Sequence, residues 1–118
     1  MAEKPLRFLG SALDDLRAFP DEARRVAGHQ LHLVQHGLEP SDWKPMGTVG
    51  PGVAELRIHS DGAYRVFYVA KFAEAIYVLH AFAKRTQQTR NADVDLGRHR
   101  YHELVHARQL QAARKRRK

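Results

Sequence analysis

The 118-residue chain contains no cysteine, which excludes disulfide staples, thiolate metal sites and cysteine nucleophiles together. No apolar run approaches the roughly 20 residues needed to span a bilayer. No basic-then-apolar segment opens the sequence, so a cytoplasmic address with no membrane partner is expected. Aromatic residues are only 8% of the chain, yet hydrophobic residues reach 43%, too many for full disorder. Acidic side chains are outnumbered, 13 against 20 Lys and Arg, for a net charge of +7.

That charge is uneven. Residues 1–42 carry a net −2 and residues 43–118 a net +9, of which Arg114, Lys115, Arg116, Arg117 and Lys118 supply +5. A basic half suits a polyanionic partner such as RNA, DNA or the ribosome. The competing reading is a solvated tail on a mildly basic domain. The length fits one domain, expected over residues 1–113, followed by a basic tail at 114–118.

Lys4 to Leu9 reads as a short edge strand. Ser11 is a predicted N-cap, with Asp14 three residues on in the place of a capping-box Glu. Leu13, Leu16 and Phe19 repeat at helical spacing until Pro20. Asp21 and Glu22 suit the first turn of a second helix, and Gly37 suits its stop. Glu39 to Gly52 is rich in Pro and Gly and reads as a long loop holding Trp43 and Lys44, with Trp43 expected to cover the core.

Three strand patterns follow. Val53–His59 alternates, with Leu56 and Ile58 on one side and Glu55, Arg57 and His59 on the other. Ser60-Asp61-Gly62 signals a hairpin turn, and Tyr64–Lys71 and Ala75–Ala83 read as central strands. Asn91 to Arg114 reads as a polar helix fraying into the tail. The expected fold is α+β: an antiparallel sheet of three main strands plus a short N-terminal edge strand, an N-terminal helical hairpin on one face, and a C-terminal helix.

Two stretches have the residues for chemistry. His102-Glu103-Leu104-Val105-His106 has the spacing of a zinc-peptidase helix. No His, Asp or Glu follows it to serve as a third ligand, charged residues flank it, and surface histidines are the expected reading. His99 shares its face, and His29, His32 and His36 repeat the same spacing, which reads as surface or interface histidines able to take up adventitious nickel or zinc. No metal and no cofactor are expected.

The second stretch is the set of cations along the strands: Arg57, Arg65, Lys84 and Arg85. A two-residue turn at Asp61-Gly62 would place Arg57 and Arg65 on opposite faces. A three-residue loop ending at Ala63 pairs Arg65 with His59 and brings both arginines to one face, joining Leu56 and Ile58 with Val66 and Tyr68 in a core face. Guanidiniums fixed in this way can stabilise the charge that builds on phosphate when a ribose 2′-OH attacks it. His59, His80, Glu55 and Lys84 are the candidate proton carriers. The alternative is a solvent face laced with salt bridges, such as Glu55 with a neighbouring Arg.

Glu55-Leu56-Arg57, Tyr64-Arg65-Val66 and the run Leu79-His80-Ala81-Phe82-Ala83-Lys84-Arg85-Thr86-Gln87-Gln88-Thr89 together resemble phage-derived HigB-like toxins of the RelE/ParE superfamily. The resemblance covers residues 5 to about 110 and implies a RelE-like fold. It also implies an endoribonuclease that cuts mRNA in the ribosomal A site and is neutralised by a helix-turn-helix antitoxin, with operator DNA met only through that antitoxin. Carried over by position, Arg65 and Arg85 would stabilise the transition state, and Lys84 or Arg57 would position the phosphate. Lys44, Lys71, Arg90 and Arg98 are expected to contact RNA or ribosome. RelE-type enzymes place a tyrosine shortly after the basic pair, where this chain has Thr89, Arg90 and Asn91. His80, His59 or Tyr64 would then supply the acid. Two alternatives stay open: a ParE-like gyrase poison, and a basic nucleic-acid-binding module that cuts nothing.

Overall fold

The computed structural model describes residues 3–116. Along the chain run β1 (Leu6–Phe8), α1 (Ala12–Arg17), α2 (Asp21–Gln35), β2 (Trp43–Pro45), β3 (Val53–His59), β4 (Ala63–Val69), β5 (Ile76–Ala83) and α3 (Asn91–Arg116). The strands form one five-stranded sheet in the order β1-β5-β4-β3-β2. The fold is α+β as expected, but the sheet is larger than three main strands and a single edge strand. It is also mixed: β1 runs parallel to β5, while the other pairs are antiparallel. The helical hairpin separates β1 from the rest and returns the chain to the far edge, so β1 meets β5 only as a parallel neighbour.

β2 lies in the segment expected to be loop. Trp43, Lys44 and Pro45 pair with Leu56, Glu55 and Ala54. Three residues ending in proline leave no alternation to read, and an edge is where proline is tolerated. Trp43 does not cover the core: it is 36% exposed, and its indole N–H donates to Glu39 Oε1 at 3.2 Å.

The β3–β4 turn has three residues, Ser60 to Gly62, so that His59 pairs with Ala63 and Arg57 with Arg65. The arginines share a face as expected, but in a register two residues from the one read in the sequence. Asp61 and Gly62 both take positive φ there, 49° and 139°.

Each sheet face has its own core. On one, Leu56, Ile58, Val66, Tyr68, Ile76 and Val78 pack against Leu16, Phe19, Ala23, Ala27, Leu31 and Val34 of the hairpin. Ser11 caps nothing: its hydroxyl donates to Asp15 at 2.7 Å, and Asp14 takes no part. α2 ends as expected at Gly37, whose φ of 77° lets its N–H reach Val34 and the Leu38 N–H reach Leu33. These two bonds form a Schellman motif that satisfies the last carbonyls.

On the other face α3 crosses Phe67, Val69, Tyr77, Leu79 and Phe82. Its buried stripe is Asp93, Gly97, Tyr101 and Leu104, all between its third and fourteenth residues. Arg100 fastens it by donating to the Leu79 carbonyl at 2.9 Å and to Ser11 Oγ at 3.0 Å. Arg108 forks onto Glu74 at 2.7 and 3.1 Å, holding that carboxyl down at a pKa of about 2. The helix runs on to Arg116, so Arg114–Arg116 of the expected tail form its last turn, where the dipole favours cations. Arg117 and Lys118, like Met1 and Ala2, lie outside the described residues. No helix among the described residues is long and apolar enough to cross a membrane.

Gly97 sets how closely α3 approaches the sheet. A Cβ there would sit 2.8 Å from Phe67 Cδ2 and 3.1 Å from Val49 Cγ1, and Phe67 is fully buried. Gly97→Ala should therefore destabilise by about 1–2 kcal/mol despite the better helix propensity of Ala, seen as a lower urea midpoint.

Candidate functional site

The strand register lays out a grid on the α3 side of the sheet. One row runs Lys44, Glu55, Phe67, His80 across β2, β3, β4 and β5. The next runs Arg57, Arg65, Phe82. The last holds His59 opposite Ala63, whose carbonyl accepts the Lys84 N–H at 2.8 Å. α3 covers the Phe67 end of this face, and the cations lie beyond its first turn.

Arg57 and Arg65 are direct cross-strand neighbours, an arrangement of like charges that destabilises a sheet. Glu55 compensates it. Its Oε1 lies 3.6 Å from Arg57 Nε, 3.7 Å from Arg65 Nε and 3.8 Å from Lys44 Nζ. Each contact is worth about 4 kcal/mol at an effective dielectric of 20, against a desolvation cost of several kcal/mol for the carboxylate. The distances are too long for hydrogen bonds, and Glu55 Oε1, Arg57 Nε and Arg65 Nε make none. Between these groups charge alone acts.

Sequence alternation put Glu55 on a polar face, and at Glu55 that face is covered. Glu55 is 0% exposed, and its other oxygen accepts a hydrogen bond from Thr89 Oγ1 at 3.2 Å. Arg65 is also buried, and its Nη1 donates to the Tyr64 carbonyl at 2.9 Å. Burial lowers the Arg65 pKa, opposed by Glu55 and aided by Arg57. Such a guanidinium stays cationic regardless. Lys84 is half-buried, and its pKa is lowered by burial first and by Arg65 next, with Glu55 pulling the other way. One carboxylate thus faces Lys44, Arg57, Arg65 and Lys84, an excess of positive charge suited to an anion.

The remaining candidates are dispersed. His80 is buried, its Nε2 2.8 Å from Asp93 Oδ1 and its ring stacked on Phe82 at 4.7 Å. Arg90 Nε reaches the other Asp93 oxygen at 3.2 Å. These contacts pin the start of α3 and the loop bearing Thr89 to the sheet. His59 is exposed at the end of β3, 3.3 Å from Asp42 Oδ2. Arg85 is exposed and makes no ion pair among the described residues. Tyr64 points to the hairpin side, its ring 4.8 Å from Phe19 and away from the cations. Lys71 Nζ donates to Tyr101 Oη at 3.0 Å, and Arg98 donates to the Thr48 carbonyl at 2.8 and 3.0 Å. Both tie α3 to loops outside the cluster. His102 and His106 are exposed on α3, and Glu103 pairs instead with His99 at 3.4 Å.

Asp42, Thr89 and Asp93 were not legible as site residues. Each acts through a partner distant in sequence, and none sits in a recognisable local pattern.

Residues 14–102 match the family described as phage-derived protein Gp49-like (DUF891). The chain belongs to this family, which is part of the RelE/HigB-like toxins and is associated with toxin–antitoxin systems. No curated protein matches the chain.

Glu55→Gln keeps the side-chain shape and removes the compensating charge. It should cost about 3 kcal/mol in urea denaturation, because Arg65 is left buried beside Arg57 without a counter-charge. The deficit should shrink at high salt as the repulsion is screened.

Proposed function

We propose, from family membership and the cation grid together, that the chain is a HigB-like toxin that cleaves mRNA on the ribosome. The observation that carries this reading is the cross-strand Arg57–Arg65 pair over the buried Glu55. Two opposed guanidiniums weaken a sheet, and a bound phosphodiester is the ligand that would repay the arrangement.

In this reading the half-buried Arg57 holds the nonbridging oxygens of the scissile phosphate, and the buried Arg65 adds its charge from just beneath to stabilise the charge that builds there. Glu55 has no exposed surface, so it positions the guanidiniums rather than touching RNA. His59 and Lys84 lie on β3 and at the end of β5, on either side of Ala63. Strand spacing puts their backbones about 10 Å apart, bracketing a phosphate over β4. His59, oriented by Asp42, takes the proton of the 2′-OH as its oxygen bonds to phosphorus. The bond from phosphorus to the 5′ oxygen breaks, and Lys84 gives that oxygen its proton. The products are a 2′,3′-cyclic phosphate and a 5′-OH. Lys44 and the exposed Arg85 grip flanking phosphates, and a helix-turn-helix antitoxin is the expected partner.

Induction of the chain should arrest growth and truncate translated mRNA. Arg65→Ala should lower cleavage by about 10²–10³-fold, the usual cost of losing one preorganised donor, and relieve the arrest. A circular dichroism spectrum like that of the wild type would show the fold retained. Intact transcripts with gyrase-linked DNA breaks would instead point to a ParE-like poison.

The lowered pKa of Lys84 gives a second expectation. Its acid form is present below that pKa and is lost as pH rises through it, so single-turnover cleavage on ribosomes should begin to fall before the ordinary lysine value of 10.5. Lys84→Arg should be slower at every pH and lack this alkaline fall.

A further inference from the structure

On the hairpin side, away from the cation grid, three exposed side chains converge where the chain enters the fold. We propose that Glu3, His32 and His36 form a zinc-binding site that clasps the segment before β1 to the end of α2. His32 lies in the last turn of α2 and His36 is the residue that caps its C-terminus, four positions on, so their imidazoles rise from the same side. The rings meet edge to face with centroids 4.4 Å apart.

Glu3 is held there by its neighbours. The Lys4 N–H donates to the Gln35 carbonyl at 3.2 Å, and Gln35 Nε2 donates back to the Lys4 carbonyl at 2.8 Å. Lys4 Nζ reaches on to the carbonyls of Ala70 and Phe72 at 2.7 and 3.0 Å. The backbone that carries Glu3 is thus fixed against both α2 and the β4–β5 connection.

One ligand atom from each of Glu3, His32 and His36 lies within 4.8 Å of the other two, and His36 Nε2 is 3.6 Å from Glu3 Oε2. Ligands around tetrahedral zinc stand about 3.4 Å apart, from bond lengths near 2.1 Å. Small rotations of exposed side chains close that difference. Two imidazoles and one carboxylate suit zinc and other nitrogen-seeking divalent ions rather than magnesium or calcium. Water completes the tetrahedron.

The better-known spacing is in α3, where His102 and His106 also stand at i and i+4. Among the described residues, Glu3, His32 and His36 are the one group of three such side chains this close, so the α3 pair lacks a third ligand. A shared i, i+4 pattern therefore makes two candidate sites in sequence and one in space. Since the clasp exists only in the folded chain, zinc bound there stabilises the fold.

The test is zinc titration of the full chain purified without a histidine tag, followed by calorimetry and thermal melting. The wild type should take up one tight equivalent of zinc and melt at a higher temperature with it. His32→Ala and His36→Ala, both surface changes, should each weaken that equivalent at least about tenfold and abolish the thermal shift. Glu3→Gln should weaken it less, and a His102→Ala/His106→Ala double variant should bind as the wild type does. The proposal fails if no tight equivalent is found, if it survives His32→Ala and His36→Ala, or if it disappears with the α3 histidines.

Discussion

The carboxylate of Glu55 is the constraint around which this face of the molecule is arranged. A charge with no exposed surface in a central strand needs counter-charges close by, and here they come from three strands. Lys44 on β2, Arg57 on β3 and Arg65 on β4 converge on one oxygen at 3.6–3.8 Å. Thr89 holds the other oxygen from the loop after β5. The carboxylate lets two arginines sit opposite each other, and the arginines let the carboxylate be buried. Neither is tolerable alone, which is why a short edge strand and an irregular loop are tied into the same cluster.

One sheet face serves two purposes because α3 covers only part of it. Over Phe67 the helix approaches closely through Gly97, and that half is an ordinary apolar core. Past the first turn of the helix the same face becomes cationic. His80 and Asp93 mark the boundary, a buried polar pair that joins β5 to the start of α3 and so fixes where the cover ends. The length of the loop from Lys84 to Arg90 therefore has a structural consequence: it determines where along β3, β4 and β5 the cover of the helix begins.

Much of this was readable along the chain. Alternation in β3 separated Leu56 and Ile58 from Glu55, Arg57 and His59, because side chains in a strand must alternate. Gly37 announced the end of α2 because few other residues accept its φ. The side chains of Arg57 and Arg65 were expected on one face, although the turn was read two residues out of register, since residues 60–63 allow several hairpin geometries. β2 was not readable, because three residues cannot show a period. α3 was read as a polar helix, but its contact stripe of Asp93, Gly97, Tyr101 and Leu104 has no apolar regularity. Asp93 is in it to meet His80, and Gly97 to let Phe67 approach.

Local chemistry in the sequence determined the helices, the three long strands, the absence of thiol chemistry and the identity of the strand cations. These depend on neighbours a few residues apart, so the chain order contains them. The tertiary structure decided which of the cations act together. It gathered Lys44, Arg57, Arg65 and Lys84 around Glu55, sent Lys71 and Arg98 to brace α3, and turned Tyr64 to the opposite face. It likewise brought Glu3 to His32 and His36 while leaving His102 and His106 without a third partner. Strand order and the path of the loops set those distances, and no spacing within a single segment records them.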